Sequence, residues 1–378
     1  MDSPTKSEDD IIKVLMKKIL RKKTVFVGMS GGVDSSVAAF LLKKEGYNVV
    51  GVFMRCYNLD GCSDRDAEDA RRVAEHINIS FYVWDFEEDY KKRVVEYMID
   101  GYRCGITPNP DVMCNREIKF GLFFEKAIAA GADYVATGHY LKIKKSRLGS
   151  YELFEANDSN KDQSYFLWTL TQKQLQSCLF PIGKYKKSEV RVIARKAKLP
   201  TAEKKDSQGI CFLGKISLVD FLKRSIPEKK GALMTMDGTV VGEHSGATFY
   251  TIGQRHLGVP YKTLNSGNKN QKPFYVVEKN IEKNIVTVVE GSDSVALYKK
   301  DIELVDVNLI SKLQISDDGI SVFARVRYRQ PLSKAKILFD KRKGALLFFD
   351  KPQKFVAKGQ SVVFYSKNGK MLGGGIII

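Results

Sequence analysis

The chain lacks any apolar run near the roughly 18 residues that a membrane-crossing helix requires, so no transmembrane segment is expected. Its closing "GGGIII" is far too short to serve. Cysteine is scarce. Six in 378 residues (Cys56, Cys62, Cys104, Cys114, Cys178, Cys211) exclude a disulfide scaffold. No signal peptide precedes them, so a reducing, cytoplasmic compartment is expected. Cys56 and Cys62 have only His76 nearby, which makes no zinc site, and no bound structural metal is expected. Internal repeats are absent. The opening "MDSPTKSEDDIIKVLMKKILRKK" is amphipathic, but its acidic residues argue against an organellar transit peptide, and residues 1–22 read as an extension.

Acidic residues are also short in supply: 62 Lys and Arg against 44 Asp and Glu leave a net charge of +18. Residues 299–378 hold 16 basic and 7 acidic side chains, so half of the excess lies in about a fifth of the chain. Such a distribution suits a polyanionic partner, nucleic acid first of all.

From Thr24 to about Tyr140, short β-rich runs ("TVFV", "NVVGVFM", "SFYVWDF", "DYVATGHYLKI") alternate with helical ones ("VAAFLLKKEG", "DAEDARRVAEHI", "DYKKRVVEYMIDG", "NREIKFGLFFEKAIAAG"). This alternation implies a parallel sheet covered on both faces, with ligands at the carboxyl ends of its strands. "KDQSYFLWTLTQKQLQ" and "SEVRVIARKAKL" read as further helices, followed by the polar "PTAEKKDSQGICFLGK". After about Gly231 turn signals separate β-rich runs, and the last segment reads as a small barrel or sandwich. The expected division is 23–217, an α/β domain; 218–297, a small β-rich central domain; and 298–378, a basic C-terminal β-barrel.

Three motifs carry chemistry. The first, "GMSGGVDSS", joins a strand to a helix, where free backbone N–H groups and the helix dipole bind phosphate without a side-chain cation. Gly28, Gly31 and Gly32 let the backbone approach closely, while Ser30, Ser35 and Ser36 can donate hydroxyl bonds. Val33 stands where the G-x-x-x-x-G-K-[ST] pattern needs glycine, and no lysine follows; G-x-G-x-x-G does not fit either. The bland alternative is a glycine turn with Asp34 as a helix cap.

In "NPDVMCNREIKF", a helix is expected to begin near Asp111 or Met113, placing Cys114 in or near a first turn that favours thiolate. Asp111, three residues upstream, is within reach as a proton donor or acceptor. Read alone, the segment serves equally as a buried cysteine with Asp111 capping. In "KKDSQGICFLG", Cys211 lies in a polar, glycine-containing loop with lysines nearby; it is a reactive thiol or an ordinary one.

"SGGVDS" resembles the signature of the PP-loop (adenine nucleotide alpha hydrolase-like) ATP pyrophosphatases, which cleave ATP between the α- and β-phosphates and adenylate an oxygen. The three motifs in this order resemble the tRNA-specific 2-thiouridylases, which place sulfur on C2 of the wobble uridine. The likeness extends to "VVGVFM", "ATGHY", "KDQSYFL", "TIGQRHLG", "RVRYRQ" and "GQSVVFY", and so spans the chain from about Thr24 onwards.

That resemblance implies ATP contacts at Gly28, Met29, Ser30, Gly31, Gly32, Val33, Asp34, Ser35, Met54 and Gly138, with ATP-associated Mg²⁺ at Asp34. Asn109, Pro110 and Asp111 would lie against the target base. Cys114 would be the nucleophile and Cys211 the persulfide carrier, the two closing into a transient disulfide. His139, Lys161, Asp162, Gln163, Tyr328, Arg329 and Gln360 would touch tRNA. A sulfur-relay protein or a cysteine desulfurase would supply the sulfur, and no membrane partner is implied. "RVRYRQ" reads as a strand with Arg325, Arg327 and Arg329 along one face. After Met54, "RCYNLDGCSDRD" departs from the Asn-Trp pair and acidic run usual in bacterial relatives, which leaves those side chains without a role. A small-molecule adenylating enzyme would not need both cysteines or a basic β-domain, and a non-enzymatic RNA binder would have no use for the PP-loop.

Overall fold

Alternating β-branched and helical runs build the first unit of the computed structural model, which describes residues 22–57, 61–206, 213–214, 216–257, 272–311, 318–340 and 344–378. Strands β1 (Thr24–Gly28), β2 (Asn48–Arg55), β3 (Ser80–Asp85), β4 (Tyr134–Thr137) and β7 (Cys178–Leu179) form an all-parallel sheet in the order β3-β2-β1-β4-β7. A hairpin, β5 (Lys142–Lys145) and β6 (Tyr151–Phe154), stands apart from it.

The side-chain period of two divides β1 between two cores. Val25 and Val27 pack with Val37, Leu42, Val73 and Val190 on one face of the sheet. Phe26 packs with Val94, Met98, Phe120 and Phe123 on the other. Each such fully buried side chain contributes about 1.5–3 kcal/mol, so both helical layers are held by continuous apolar contact. β1 has β2 on one side and β4 on the other, and the order reverses there. The crevice of the sheet therefore opens beyond the carboxyl ends of β1 and β4.

The expected helix over "KDQSYFLWTLTQKQLQ" does not form. Only a 3₁₀ turn, Ser164–Leu167, and one helical turn, Gln172–Leu175, are present. Tyr165, Leu167 and Trp168 are all buried, which a one-sided helix could not achieve, and Asn308 Nδ2 takes up the backbone carbonyls of Trp168 (2.6 Å) and Leu170 (3.1 Å).

Strands β8 (Gly231–Thr235), β9 (Val240–His244), β10 (Phe274–Asn280) and β11 (Ile285–Glu290) make a central sheet ordered β10-β11-β8-β9. β12 (Tyr298–Leu309), β13 (Ile320–Arg325), β14 (Ser333–Phe339), β15 (Ala345–Lys354), β16 (Ser361–Tyr365) and β17 (Lys370–Ile377) follow. Pairing of β12 with both β15 and β17 closes them into a six-stranded barrel around Ile302, Leu304, Val322, Ile337, Leu347 and Phe364. Closure removes the free edges a small open sheet would expose. β6 of the first unit also pairs with β17, so the two units share one sheet.

The basic stripe expected at "RVRYRQ" is corrected by this packing. β13 ends at Arg325, which is buried and paired with Glu155 of the first unit. Arg327 is half-buried and donates to the Ile252 carbonyl (3.2 Å) of the central region. Arg329 alone of the three is exposed. Among the described residues no helix is long and apolar enough to cross a membrane.

Candidate active site

Gly28 to Ser36 leaves β1 and enters the Val33–Lys44 helix, whose N-cap, Gly32, makes no side-chain cap bond. The loop is bound to itself. Ser30 N–H donates to Ser35 Oγ (3.1 Å), and the hydroxyls of Ser35 and Ser36 donate to the Gly32 carbonyl (3.2 and 2.8 Å). Gly31 has φ +70°, and a Cβ there would lie 2.3 Å from the Asp66 carbonyl oxygen, so only glycine fits. Gly138, following β4, abuts the same turn: a Cβ on it would come within 2.6 Å of Ser35 N. Met54, near the end of β2, completes the rim, its Cε 3.0 Å from where a Cβ on Gly28 would stand. Gly28 to Ser35, Met54 and Gly138 thus converge at the carboxyl edge of β1, β2 and β4, where helix N–H groups without a side-chain cap are suited to an anion.

Asp34 does not cap. Its carboxylate accepts from the Tyr140 hydroxyl (2.7 Å) and from Lys187 Nζ (2.8 Å to each oxygen). Lys187 also bridges to Asp206 (2.8 Å), which is bonded further by Lys161 (2.7 Å) and Arg191 (2.8 Å). Partial burial works against the Asp206 charge, but the bonds from Lys161 and Lys187 outweigh it and hold the carboxyl down to about 2. Burial, and then the neighbouring Asp34, push the Tyr140 phenol up. Sequence reading missed Lys187, Tyr140 and Asp206. One signal was present: Lys187 opens the Lys187–Lys196 helix, and a cation at a helix N-terminus opposes the dipole unless an anion faces it.

Asn109 caps the Pro110–Cys114 helix, its side chain accepting from Val112 N (3.2 Å), with Pro110 at the first helical position. The cap is therefore Asn109 rather than Asp111, which leaves the Asp111 carboxyl outside that duty. Burial pushes the Asp111 acid up, with Lys119 pulling the other way. Cys114 ends this helix, half-buried, and the run continues through a π-type turn, Asn115–Leu122, into Phe123–Ala129. Phe120 and Phe123, within about two and a half turns of Cys114, pack on His139 (6.0 Å between rings) and beneath Gly28. The thiol and the loop are thus fixed to one helical rod.

That rod is fixed in turn by the barrel. Thr107 N–H donates to the Lys358 carbonyl (2.8 Å), and Gln360 Nε2 donates to the carbonyls of Thr107 (2.9 Å) and Pro108 (3.2 Å). Gln360 therefore grips the approach to Asn109. His139 is buried, its Nδ1 bonded to Thr137 Oγ1 (2.7 Å), and burial lowers its pKa well below the ordinary value. Asp162 is buried too and accepts from Ala156 N (2.9 Å) and Ser164 Oγ (2.8 Å). Gln163 pairs through backbone and side chain with the Tyr140 main chain (2.9 and 3.0 Å). Tyr328 lies against Phe166 (4.4 Å), and the Arg329 guanidinium covers its ring at 5.2 Å. Arg329 is exposed at φ +64°, a strained backbone for a residue with a Cβ. Cys211, with its proposed partnership to Cys114, lies outside the described residues. Among the described residues no group of three or more His, Cys, Asp or Glu side chains is arranged to hold a metal.

Residues 23–215 match the family model described as tRNA methyl transferase HUP domain, 219–290 the tRNA methyl transferase PRC-barrel domain, and 299–377 the aminomethyltransferase beta-barrel domain. The chain is 44% identical to tRNA-specific 2-thiouridylase MnmA of Alkaliphilus oremlandii, over 93% of this chain and 96% of the relative. It is 45% identical to the protein of that name in Streptococcus uberis (94% and 95%) and 44% identical to that of Halalkalibacterium halodurans (93% and 94%).

Proposed function

The chain belongs to the tRNA-specific 2-thiouridylase family, and from that membership we propose that it replaces the C2 oxygen of the wobble uridine of tRNA with sulfur, using ATP. The observation that carries the reading is the single helical rod that ties Cys114 to the Gly28–Ser36 loop. Nucleotide cleavage and sulfur transfer then share one crevice.

The triphosphate lies on the loop, and the C2 oxygen attacks the α-phosphorus. Pyrophosphate leaves with the bridging electron pair, while the N3 proton passes to Asp111, whose half-buried carboxyl holds a proton more readily than an ordinary one because of its desolvation. Asn109 and Pro110 set the base, which must leave its stack at a cost of roughly a few kcal/mol. Mg²⁺ borne by the triphosphate, which needs one or two carboxylates, would be held by Asp34 and would offset phosphate charge. Gly138 and Met54 close the nucleotide crevice.

Sulfur arrives on a Cys211 persulfide. Either the outer sulfur attacks C2 and Cys114 then cleaves the mixed disulfide, or Cys114 attacks first and hydrosulfide displaces AMP. Both routes end in a Cys114–Cys211 disulfide and 2-thiouridine, and a thiol reductant resets the pair. A sulfur-relay protein or a cysteine desulfurase loads Cys211, and the setting is the cytoplasm. Exposed Arg329, with Tyr328 and Lys161, contacts the tRNA backbone, which makes affinity fall with salt. His139 and Asp162, both buried, support that surface from below, while half-buried Gln163 and Gln360 keep accessible side chain for the tRNA. Labour divides at about 217 and 298, with chemistry in 23–217 and tRNA grip in 298–378.

The test is mass spectrometry of the wobble uridine after incubation with tRNA, Mg-ATP, cysteine and a cysteine desulfurase. Cys114→Ser and Cys211→Ser should each yield no thiouridine while tRNA binding persists. Full thiolation by both variants overturns the mechanism.

A further inference from the structure

The PP-loop contains no lysine, yet a lysine from more than 150 positions downstream reaches its aspartate. We propose that Lys187 is a catalytic cation of the nucleotide step, leaving Asp34 to bind the departing pyrophosphate. This rests on the thiouridylase reading above.

The surroundings of Lys187 leave each of its carboxylates another partner when it turns away. Its side chain is only 14% exposed, and its Nζ lies 2.8 Å from both Asp34 oxygens and from Asp206 Oδ1. Asp206 retains Lys161 and Arg191 if Lys187 departs, and Asp34 retains the Tyr140 hydroxyl. The cluster sets three cations, Lys161, Lys187 and Arg191, against Asp34, Asp206 and Asp158, so one ammonium can turn to a phosphate while Asp206 and Asp158 keep other partners. The Lys187 main chain is anchored, its N–H donating to Asp158 Oδ2 at 2.8 Å. A fixed backbone under a flexible four-carbon stem lets the ammonium turn without moving the helix.

In the reaction, the bond from the C2 oxygen to the α-phosphorus forms and the α–β bridging bond breaks. The electron pair goes to pyrophosphate, and the N3 proton goes to Asp111. Lys187 keeps its own proton and meets the charge that develops on the leaving group. Without nucleotide that ammonium is satisfied by Asp34 and Asp206, and its bond to phosphate strengthens as charge develops on the leaving group. An interaction of this kind raises kcat rather than lowering KM.

Pyrophosphate release is measured in single turnovers with tRNA and ATP for the parent, Lys187→Arg, Lys187→Met, Asp34→Asn and the Asp34→Asn/Lys187→Met double variant. The double variant removes both members of the pair and keeps the comparison open should Lys187→Met alone fold poorly. The expected result is a kcat about a hundredfold lower in Lys187→Met with KM for ATP within about threefold, and at most a tenfold loss in Lys187→Arg. The double variant should be at least tenfold slower than Asp34→Asn alone. If the double variant matches Asp34→Asn, Lys187 serves only to neutralise that carboxylate, and the proposal is overturned. Release by Lys187→Met at the parent's rate overturns it equally. If the parent itself releases no pyrophosphate, the thiouridylase reading fails and this inference falls with it.

Discussion

The Gly28–Ser36 loop and the Asn109–Cys114 turn are both short entries into a helix, but they are held in place by different parts of the chain. The backbone of the first is closed mainly by its own residues, Ser30 to Ser35 and Ser35 and Ser36 to Gly32, although Met29 N–H also donates to the Val52 carbonyl and the Thr201 hydroxyl to Ser36. The second takes its approach from the barrel, through Lys358 and Gln360, about 250 positions further on. A locally determined turn can be read from its own letters. A turn set by a remote partner cannot, even when its reactive residues are recognisable.

Damage to the first turn should silence nucleotide chemistry alone, and the largest effect belongs to Gly31→Ala. With φ +70° and a Cβ 2.3 Å from Asp66 O, the variant should lose ATP binding and pyrophosphate release beyond detection. Its tRNA affinity, read by filter binding, should stay within about twofold. A variant that still binds ATP would break the contrast.

Gln360→Leu should do the converse more mildly. ATP affinity should be unchanged and thiolation about tenfold slower, because two hydrogen bonds to the Thr107 and Pro108 carbonyls are lost at roughly 1 kcal/mol each. Unaltered thiolation would mean that the barrel does not set the base.

Asp111 sharpens the same point through pH. Its raised pKa means that it gains its proton on acidification before an ordinary carboxyl would, at about 3.9. As the base it acts deprotonated, so thiolation should fall with decreasing pH through a limb lying above that value. Asp111→Asn should be slower and lack the limb; a limb that survives assigns the proton elsewhere.

The smallest effect concerns Asp206, whose carboxyl is depressed to about 2. A depressed acid stabilises the fold above its unfolded pKa of about 3.9, and that contribution disappears as pH falls through the folded value. The melting-temperature gap between parent and Asp206→Asn should therefore be constant above about pH 5 and close between about pH 4 and 2. A gap independent of pH would show that the ion cluster does not contribute through charge.

Much of the fold was legible because alternation and turn chemistry are local. β1 to β4 and the Val33–Lys44 and Lys187–Lys196 helices follow from runs of a few residues with a clear period. "KDQSYFLWTLTQKQLQ" was misread because its aromatic spacing satisfies a helix, while burial of Tyr165, Leu167 and Trp168, with Tyr165 and Trp168 bonded to Ser361 of the barrel, decides otherwise. "RVRYRQ" was misread for a related reason: alternation predicts a shared face, but β13 stops at Arg325 and each arginine then meets a different neighbour. At the site, glycine and cysteine positions were visible. Lys187 was not, since an ion pair across 153 positions leaves only a cation placed at the wrong end of a helix.

The pairing of β6 with β17 bears on how such a protein can be divided. A cut near residue 298 would not detach an accessory. It would bare the edge of β6, strip Tyr165 and Trp168 of their Ser361 partners, and leave the carbonyls before Asn109 without a donor. Barrel and reactive turn are therefore one heritable unit: the barrel cannot be exchanged for another β-module without also rebuilding the turn that carries Cys114.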